Sequence, residues 1–462
     1  MATPCASCQS CPHPGDPRPA PATDADWAEL LAALPVDVES TARASQALRR
    51  RRQVRSGADL LRLVLLYSLW DWPLRLVAAW ATITGWAELS DVALLQRLRG
   101  AQHYLGVLVA ACLLTSRTLQ PTGPVRLRLV DATVISRPGS RGTDWRLHVS
   151  FDVGQWAIDG LELTDAHGGE TLVRHAAQPG DILVGDRGYA HRRGVGCVLA
   201  QGGALVLRCN VTNLPLQDAG GAPLDLLAWL RQVPEDAPAE RPVQIVTLEG
   251  TFPLRLLATR LSPQAADAAR RRLRRQAKKK GHTPDRRSLE AAGFLLLVST
   301  LDPTTWSTEQ VLGLYRIRWQ VELLFKRLKG LLHLDQLRAR GAALAQVYLL
   351  GTVLGALLVE RVSRGAPSAA LVWFATVERP VSPWRWLAWW HEAVRQAVRG
   401  VLALATMQAA LPKLGRYLCD GPRRRLQQGA VARHLLRGLG APSSSALCRT
   451  LHTQHASYPM AA

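Results

Sequence analysis

At Val125 the hydrophobic period of this chain changes from that of a helix to that of a strand, and this change limits the fold more than any other feature. Before it, Leu30, Leu31 and Leu34, then Leu60, Leu61, Val64 and Leu65, then Val92, Leu94, Leu95 and Leu98 recur at helical spacing. After it, Val125, Leu127 and Leu129 alternate with Arg126 and Arg128, and the run delivers Asp131. Trp145, Leu147, Val149 and Phe151 alternate again, and Leu161-Glu-Leu-Thr164 suggests a third strand. A short helix is expected over residues 171–177. The apolar triplet Ile182-Leu183-Val184 then runs into Gly185-Asp186-Arg187-Gly188-Tyr189, a strand that stops where the chain turns sharply and lifts a carboxylate off the sheet edge. A helix over 195–201 and a strand over 205–208 follow. The pattern predicts an α/β core with Asp131 and Asp186 at strand ends.

The 462 residues suffice for two or three domains, and the 48% hydrophobic content with 15 Trp excludes a disordered chain. Residues 1–25 read as a disordered lead, and 26–120 as a helical, DNA-binding domain with a basic run at Arg49–Arg52 and Arg55. The same helices read equally well as a cap over the next domain. Residues 121–210 form the first part of the core. Residues 211–292 are a β-rich basic insertion, with strands over 243–248 and 254–259. The core resumes over 293–340 with a strand at 294–300 and a helix. Residues 341–462 are helical, with a Trp-rich stretch at 384–390, a basic tail from Arg423 and a candidate dimerisation role.

Lys and Arg number 57 against 36 Asp and Glu, a formal charge of +21, and the excess is clustered. That points to a polyanionic partner, nucleic acid first. The amino terminus lacks the apolar run of a secretory signal. The stretch 344–358 is about 15 residues long and contains Gln346, Gly351 and Gly355, which suits a buried helix better than a membrane span. Residues 60–80 are broken by Arg62, Asp71 and Arg75. The expectation is a cytoplasmic protein associated with the nucleoid and not with membrane. Of eight cysteines, Cys112, Cys197, Cys209, Cys419 and Cys448 are scattered and form no disulfide framework. Cys5, Cys8, Cys11 and His13 are tightly spaced with no second pair, and read as tail.

The segment Tyr315-Arg-Ile-Arg-Trp-Gln-Val-Glu-Leu-Leu-Phe-Lys-Arg-Leu-Lys329 has helical spacing. At about 100° per residue, Tyr315, Arg318, Glu322 and Lys329 share an arc of roughly 60°. Leu324, Phe325, Leu328, Leu331 and Leu332 fill the neighbouring arc as a core-facing stripe, and Trp319 and Phe325 are expected to be packing aromatics. One carboxylate thus stands in a row with a phenol and two cations. Asp131, Asp186 and Glu322 are 55 and 136 residues apart, and three acids from different elements suit a shared divalent-metal site, since hard cations choose oxygen ligands. Two Mg²⁺ (or Mn²⁺) ions about 4 Å apart would activate a nucleophile and stabilise the departing oxygen. Arg318 and Lys329 would grip flanking phosphates, with Tyr315 as a neutral donor.

Singly these residues say little, because a strand-end Asp commonly forms a turn and a helical Glu is commonly solvated. Asp144, Asp152, Asp159, Asp165 and Asp181 compete for the same roles, and Asp152 would replace Asp131 if the strand register were different. Residues 270–280 carry Arg271, Arg274, Arg275 and Lys278 among eight cations; such a helix cannot bury, so a solvated arm touching phosphates is expected.

The block Tyr315, Arg318, Glu322, Lys329, spaced Tyr-(2)-Arg-(3)-Glu-(6)-Lys, resembles the diagnostic pattern of bacterial DDE transposases of insertion-sequence family four. Gly185-Asp186-Arg187-Gly188-Tyr189 is similar to that family's second-aspartate motif, and Val130-Asp131-Ala-Thr-Val-Ile to its first. The resemblance covers residues 125–335. It implies a ribonuclease-H-like catalytic core with a β-rich insertion, flanked by helical N- and C-terminal regions. It also implies cutting at terminal inverted repeats of double-stranded DNA, joining of 3′-hydroxyl ends to target DNA, and a homodimer on DNA. Some members form a DNA hairpin and stack a flipped base on an insertion-domain Trp; the matching position here is Phe294, a departure that puts the hairpin route in question. Two alternatives stay open: a metal-dependent nuclease without strand transfer, and a catalytically inactive DNA-binding regulator of transposition.

Overall fold

The computed structural model describes residues 22–117, 125–364 and 383–400, apart from positions 51, 71, 138, 141, 280 and 340. The cysteine cluster at Cys5, Cys8 and Cys11 and the basic tail from Arg423 lie outside the described residues. Six helices come first: α1 (Ala22–Ala32), α2 (Val38–Ala44), α3 (Gly57–Leu69), α4 (Leu74–Ile83), α5 (Asp91–Arg99) and α6 (Gln102–Arg117). Residues 22–25, expected in the lead, thus belong to α1.

Next come β1 (Arg126–Ile135), β2 (Trp145–Asp152), β3 (Ala157–Asp165), β4 (Asp181–Gly185), α7 (Arg192–Ala200) and β5 (Ala204–Arg208). Strands β1 to β3 form an antiparallel meander, and β4 and β5 run parallel to β1, giving the order β3-β2-β1-β4-β5. This is the ribonuclease-H-like arrangement. The helix expected over 171–177 is reduced to one 3-10 turn, Leu172–Arg174, because His175 already leaves helical dihedrals.

The insertion contributes α8 (Leu226–Gln232), β6 (Ala239–Val246), β7 (Thr251–Arg260), α9 (Pro263–Lys279) and α10 (Arg286–Ala291), and the chain returns through β8 (Phe294–Ser299). These strands lengthen the core sheet itself. β8 pairs antiparallel with β5, and β7 and β6 follow, so one eight-stranded sheet runs β3-β2-β1-β4-β5-β8-β7-β6. Local alternation can report that a segment is a strand but not which distant edge it joins.

The chain continues through α11 (Thr308–Ile317), α12 (Trp319–Leu332), α13 (Ala342–Arg364) and α14 (Pro383–Arg399). The helix of 23 residues α13 is long and apolar enough to span a membrane, yet 78% of its most apolar stretch is buried, as in a core helix. It packs on α3, α6 and α14. A Cβ on Gly351 would stand 2.2 Å from Ser68 Oγ, so glycine lets α13 approach α3 this closely. Arg62 Nε donates to Val398 O at 2.8 Å and Trp80 Nε1 to Arg399 O at 2.9 Å, joining helices from both ends of the chain. The N-terminal helices therefore pack as a layer with the C-terminal ones.

The start of β1 is held by buried charge. Arg126 Nε donates to Asp152 at 2.8 Å and its NH2 to Asp159 at 3.0 Å. Arg128 Nε donates to Asp159 at 2.7 Å, and its NH1 to Asp181 at 3.0 Å and to Ala176 O at 2.7 Å. Arg128 and Asp181 are each 1% exposed. Alternation along β1 puts Arg126 and Arg128 on one face and Asp131 on the other. Asp152 is thereby committed to a structural ion pair, which removes it as a substitute for Asp131.

Candidate active site

Val130 pairs with Gly185 in the parallel β1–β4 ladder, so Asp131 and Asp186 follow neighbouring positions on adjacent strands. Asp131 lies within β1, while β4 ends at Gly185 and Asp186 begins the turn Arg187–Tyr189, its Oδ1 accepting from Gly188 N at 2.7 Å. Helix α12 packs on β1, and α11 on β4 and β5, which brings the helical acid across. The helix expected to be continuous is interrupted at Arg318, which caps both α11 and α12 while keeping helical dihedrals (φ −49°, ψ −30°). The row of side chains survives the interruption.

Arg318 is the hinge of the site. Its NH1 reaches Asp131 Oδ2 at 3.4 Å and its NH2 reaches Glu322 Oε1 at 2.5 Å. Its guanidinium carbon lies 5.8 Å from the centre of the Tyr315 ring. Burial raises the Tyr315 phenol above its ordinary pKa, so it stays a neutral donor. Lys329 follows Glu322 by two turns of α12 and is half-buried.

Burial pushes the Asp131 carboxyl up to about 7, with the charges of Asp186 and Glu170 adding to the shift while the Ala132 N–H and Arg318 oppose it. Glu170 was not expected from the sequence. It lies in the Gly168-Gly169-Glu170 loop after β3, where no period marks it, and its carboxyl is raised by burial and by Asp186. The only signal was composition: glycines flanking an acid between two strands.

The site holds carboxylate oxygens, the donors that hard divalent cations prefer, and burial disfavours the bare charge on one of its acids. A divalent cation fits that set. Among the described residues no three acidic, His or Cys side chains are yet close enough to hold an ion together. A guanidinium instead stands between Asp131 and Glu322.

Two expected residues are placed differently. Phe294, the candidate stacking residue, is 7% exposed, belongs to the core under the insertion, and has Arg260 5.1 Å from its ring centre. It is the first residue of β8 and lines a cavity of about 240 Å³ together with Arg187, Arg208 and Arg272. It is no open stacking platform. Trp319, expected as a core or helix-packing aromatic, is outside the core at 50% exposed, with Lys326 Nζ of its own helix 5.2 Å from its ring centre, whereas Phe325 is buried. Arg271, Arg274, Arg275 and Lys278 all lie exposed on α9.

The fold is of the ribonuclease-H-like kind, and comparison identifies the family that carries it. Residues 124–358 match the family described as the transposase DDE domain. The chain belongs to the DDE transposases, enzymes that cleave DNA strands and transfer them. It is 39% identical over 344 residues to the putative transposase InsL for insertion sequence element IS186A of Escherichia coli (strain K12), covering 72% of this chain and 93% of that protein. It is likewise 39% identical over 345 residues to the transposase for insertion sequence element IS421 of Escherichia coli, again 72% and 93% of the two chains.

Proposed function

We propose that this chain mobilises an insertion sequence by cutting at its terminal inverted repeats and joining the 3′-hydroxyl ends to target DNA, with Asp131, Asp186 and Glu322 as the catalytic acids. The observation that carries the reading is the meeting of Asp131 and Glu322 on one guanidinium, with Asp186 directly after the adjacent strand. Acids 191 residues apart in sequence have no structural need to meet there. Asp131, Asp186 and Glu322 would hold two Mg²⁺ or Mn²⁺ ions. When bound, such cations lower the pKa of the attacking hydroxyl and offset charge on the departing oxygen.

The chain's own groups do the rest. Arg318 exchanges its carboxylate partners for a phosphate flanking the scissile one, because the two non-bridging oxygens of a phosphodiester offer the guanidinium a bidentate, charge-assisted partner. Lys329 adds a point charge to the same backbone, and Tyr315 donates a hydrogen bond without introducing charge. Arg271, Arg274, Arg275 and Lys278, exposed on one arm, contact phosphates farther along the duplex. The basic run at Arg49, Arg50 and Arg55, also exposed, supports a DNA-reading role for the N-terminal helices. We read the Tyr315-to-Lys329 block as that of insertion-sequence family four, a reading that carries with it a homodimer on DNA. The place of action is then the nucleoid.

A duplex bearing the element's ends, incubated with Mg²⁺, tests the reading. Asp186→Ala and Glu322→Gln are each expected to lose cleavage by about 10²–10³-fold. Undiminished cleavage by both variants would overturn it.

A further inference from the structure

We propose that Glu170 is a fourth carboxylate of the cation site, meeting the ion from the side of Asp186. The inference rests on the reading of Asp131 and Asp186 as cation-holding acids and extends it to a residue outside every motif in the sequence.

The backbone at Glu170 is fixed on both sides. His191 Nε2 bonds Glu170 O at 2.8 Å, and Thr171 caps the turn Leu172–Arg174 by accepting from Val173 N. The loop after β3 is thus pinned to the segment that follows Asp186. The side chain then crosses Gly188: a Cβ on that glycine would stand 2.1 Å from Glu170 Oε2 and 3.1 Å from Asp186 Oδ1. Two carboxylates therefore meet over one α-carbon, and a side chain there would displace one of them.

A carboxylate placed for structural reasons would be paired. Glu162, on the neighbouring strand, shows this with an ion pair to Arg174. Glu170 takes no such partner: its carboxylate makes no hydrogen bond or ion pair among the described residues. Arg146, the cation nearest in charge terms, spends its NH1 on Gly168 O at 2.6 Å. Beside the same acids lies Tyr189, fully buried, with a hydroxyl that has no hydrogen-bond partner among the described residues. Half-buried like charges pressed together over a low-dielectric floor repel strongly, and a divalent cation between them removes the repulsion.

The test is Mn²⁺ binding to the full chain without DNA, followed by isothermal titration calorimetry. Glu170→Gln keeps the shape and is expected to weaken Mn²⁺ binding about tenfold, with Glu162→Gln unchanged. Gly188→Ala, which pushes Glu170 aside, is expected to weaken it similarly, with circular dichroism confirming that both variants fold. Parent-like Mn²⁺ affinity in Glu170→Gln, with affinity lost in Asp186→Asn, would overturn the role of Glu170 alone. Parent-like affinity in Asp131→Asn and Asp186→Asn as well would overturn the cation site and, with it, this inference.

Discussion

Behind β1 and β4, Asp152, Asp159 and Asp181 share the guanidiniums of Arg126 and Arg128 and are sealed from water. On the other face, Asp131 in β1, Asp186 after β4 and Glu170 in the loop after β3 take, among the described residues, no cation in an ion pair except the 3.4 Å contact of Arg318 with Asp131, which Glu322 also claims. Both groups are acids on shared scaffolding, so strand geometry does not distinguish them. Charge balance does. The first group is compensated within the fold and ties β1 to its neighbours; the second is compensated only in part, as the proposed cation site would require. A transposase needs both, because the first fixes where the second's acids point.

Arg128→Met is expected to have the largest effect. It strands Asp181 as a buried charge and leaves Asp159 to Arg126 alone, and losing one partner of such a pair costs about 3–5 kcal/mol of stability, read by urea unfolding. Arg318→Met should cost far less stability, since its partners can reach solvent, while DNA cleavage falls by about 10²–10³-fold. Equal destabilisation by the two variants would break the comparison.

Mg²⁺ comes next. A cation held by the folded chain alone should raise unfolding free energy by about 2.7 kcal/mol at a hundredfold excess over its Kd. The gain should vanish in Asp186→Asn, and a gain of full size in that variant would show that the ion binds elsewhere.

Asp131 supplies a pH signature without metal. Its folded pKa of about 7 lies above the ordinary 3.8, so the folded chain holds the proton more tightly than the unfolded chain. The contribution is fully present below pH 3.8 and is lost as pH rises through 7. Asp131→Asn, which cannot ionise, should match the parent at pH 3.5 and exceed it above pH 7 by an amount on the order of 2 kcal/mol. Thermal melts across that range check the sign; a variant less stable than the parent at pH 8 would contradict it.

Much of this contrast was legible before the fold was known, and the gaps have physical causes. Alternation in Leu127, Leu129 and Leu147, Val149 marked β1 and β2, and the Gly185-Asp186 turn marked where β4 stops, because both signals are local. The roles of Arg126 and Arg128 were not legible: a strand pattern reads alternating arginines as a solvent face, and only the pairing of β1 with β2 and β4 brings acids to them. Glu170 was hidden for a related reason, since its loop has no period and its neighbours come from β4. Trp319, at roughly 40° from Tyr315, lies outside the apolar stripe that ends with Phe325 near 280°, so its exposure follows from the helical wheel itself. The extended sheet was beyond reach because β8 chooses its partner across some 90 residues.

The smallest expected effect separates burial from pairing as the source of the difference. Glu162 and Arg174 form an ion pair on the same sheet, but their side chains are 44% and 21% exposed. Water already solvates both charges, so the pair adds little beyond what each ion has alone, and ordering two long side chains opposes even that. Glu162→Gln should therefore change stability by less than about 1 kcal/mol in urea unfolding, and progressively less as salt is added. A loss comparable to Arg128→Met would mean that pairing, and not exclusion of water, makes the Arg126–Arg128 network costly to break. The missing partners of Asp131 and Asp186 would then be costly despite their partial exposure, and the contrast between the two groups of acids would rest on pairing and not on burial.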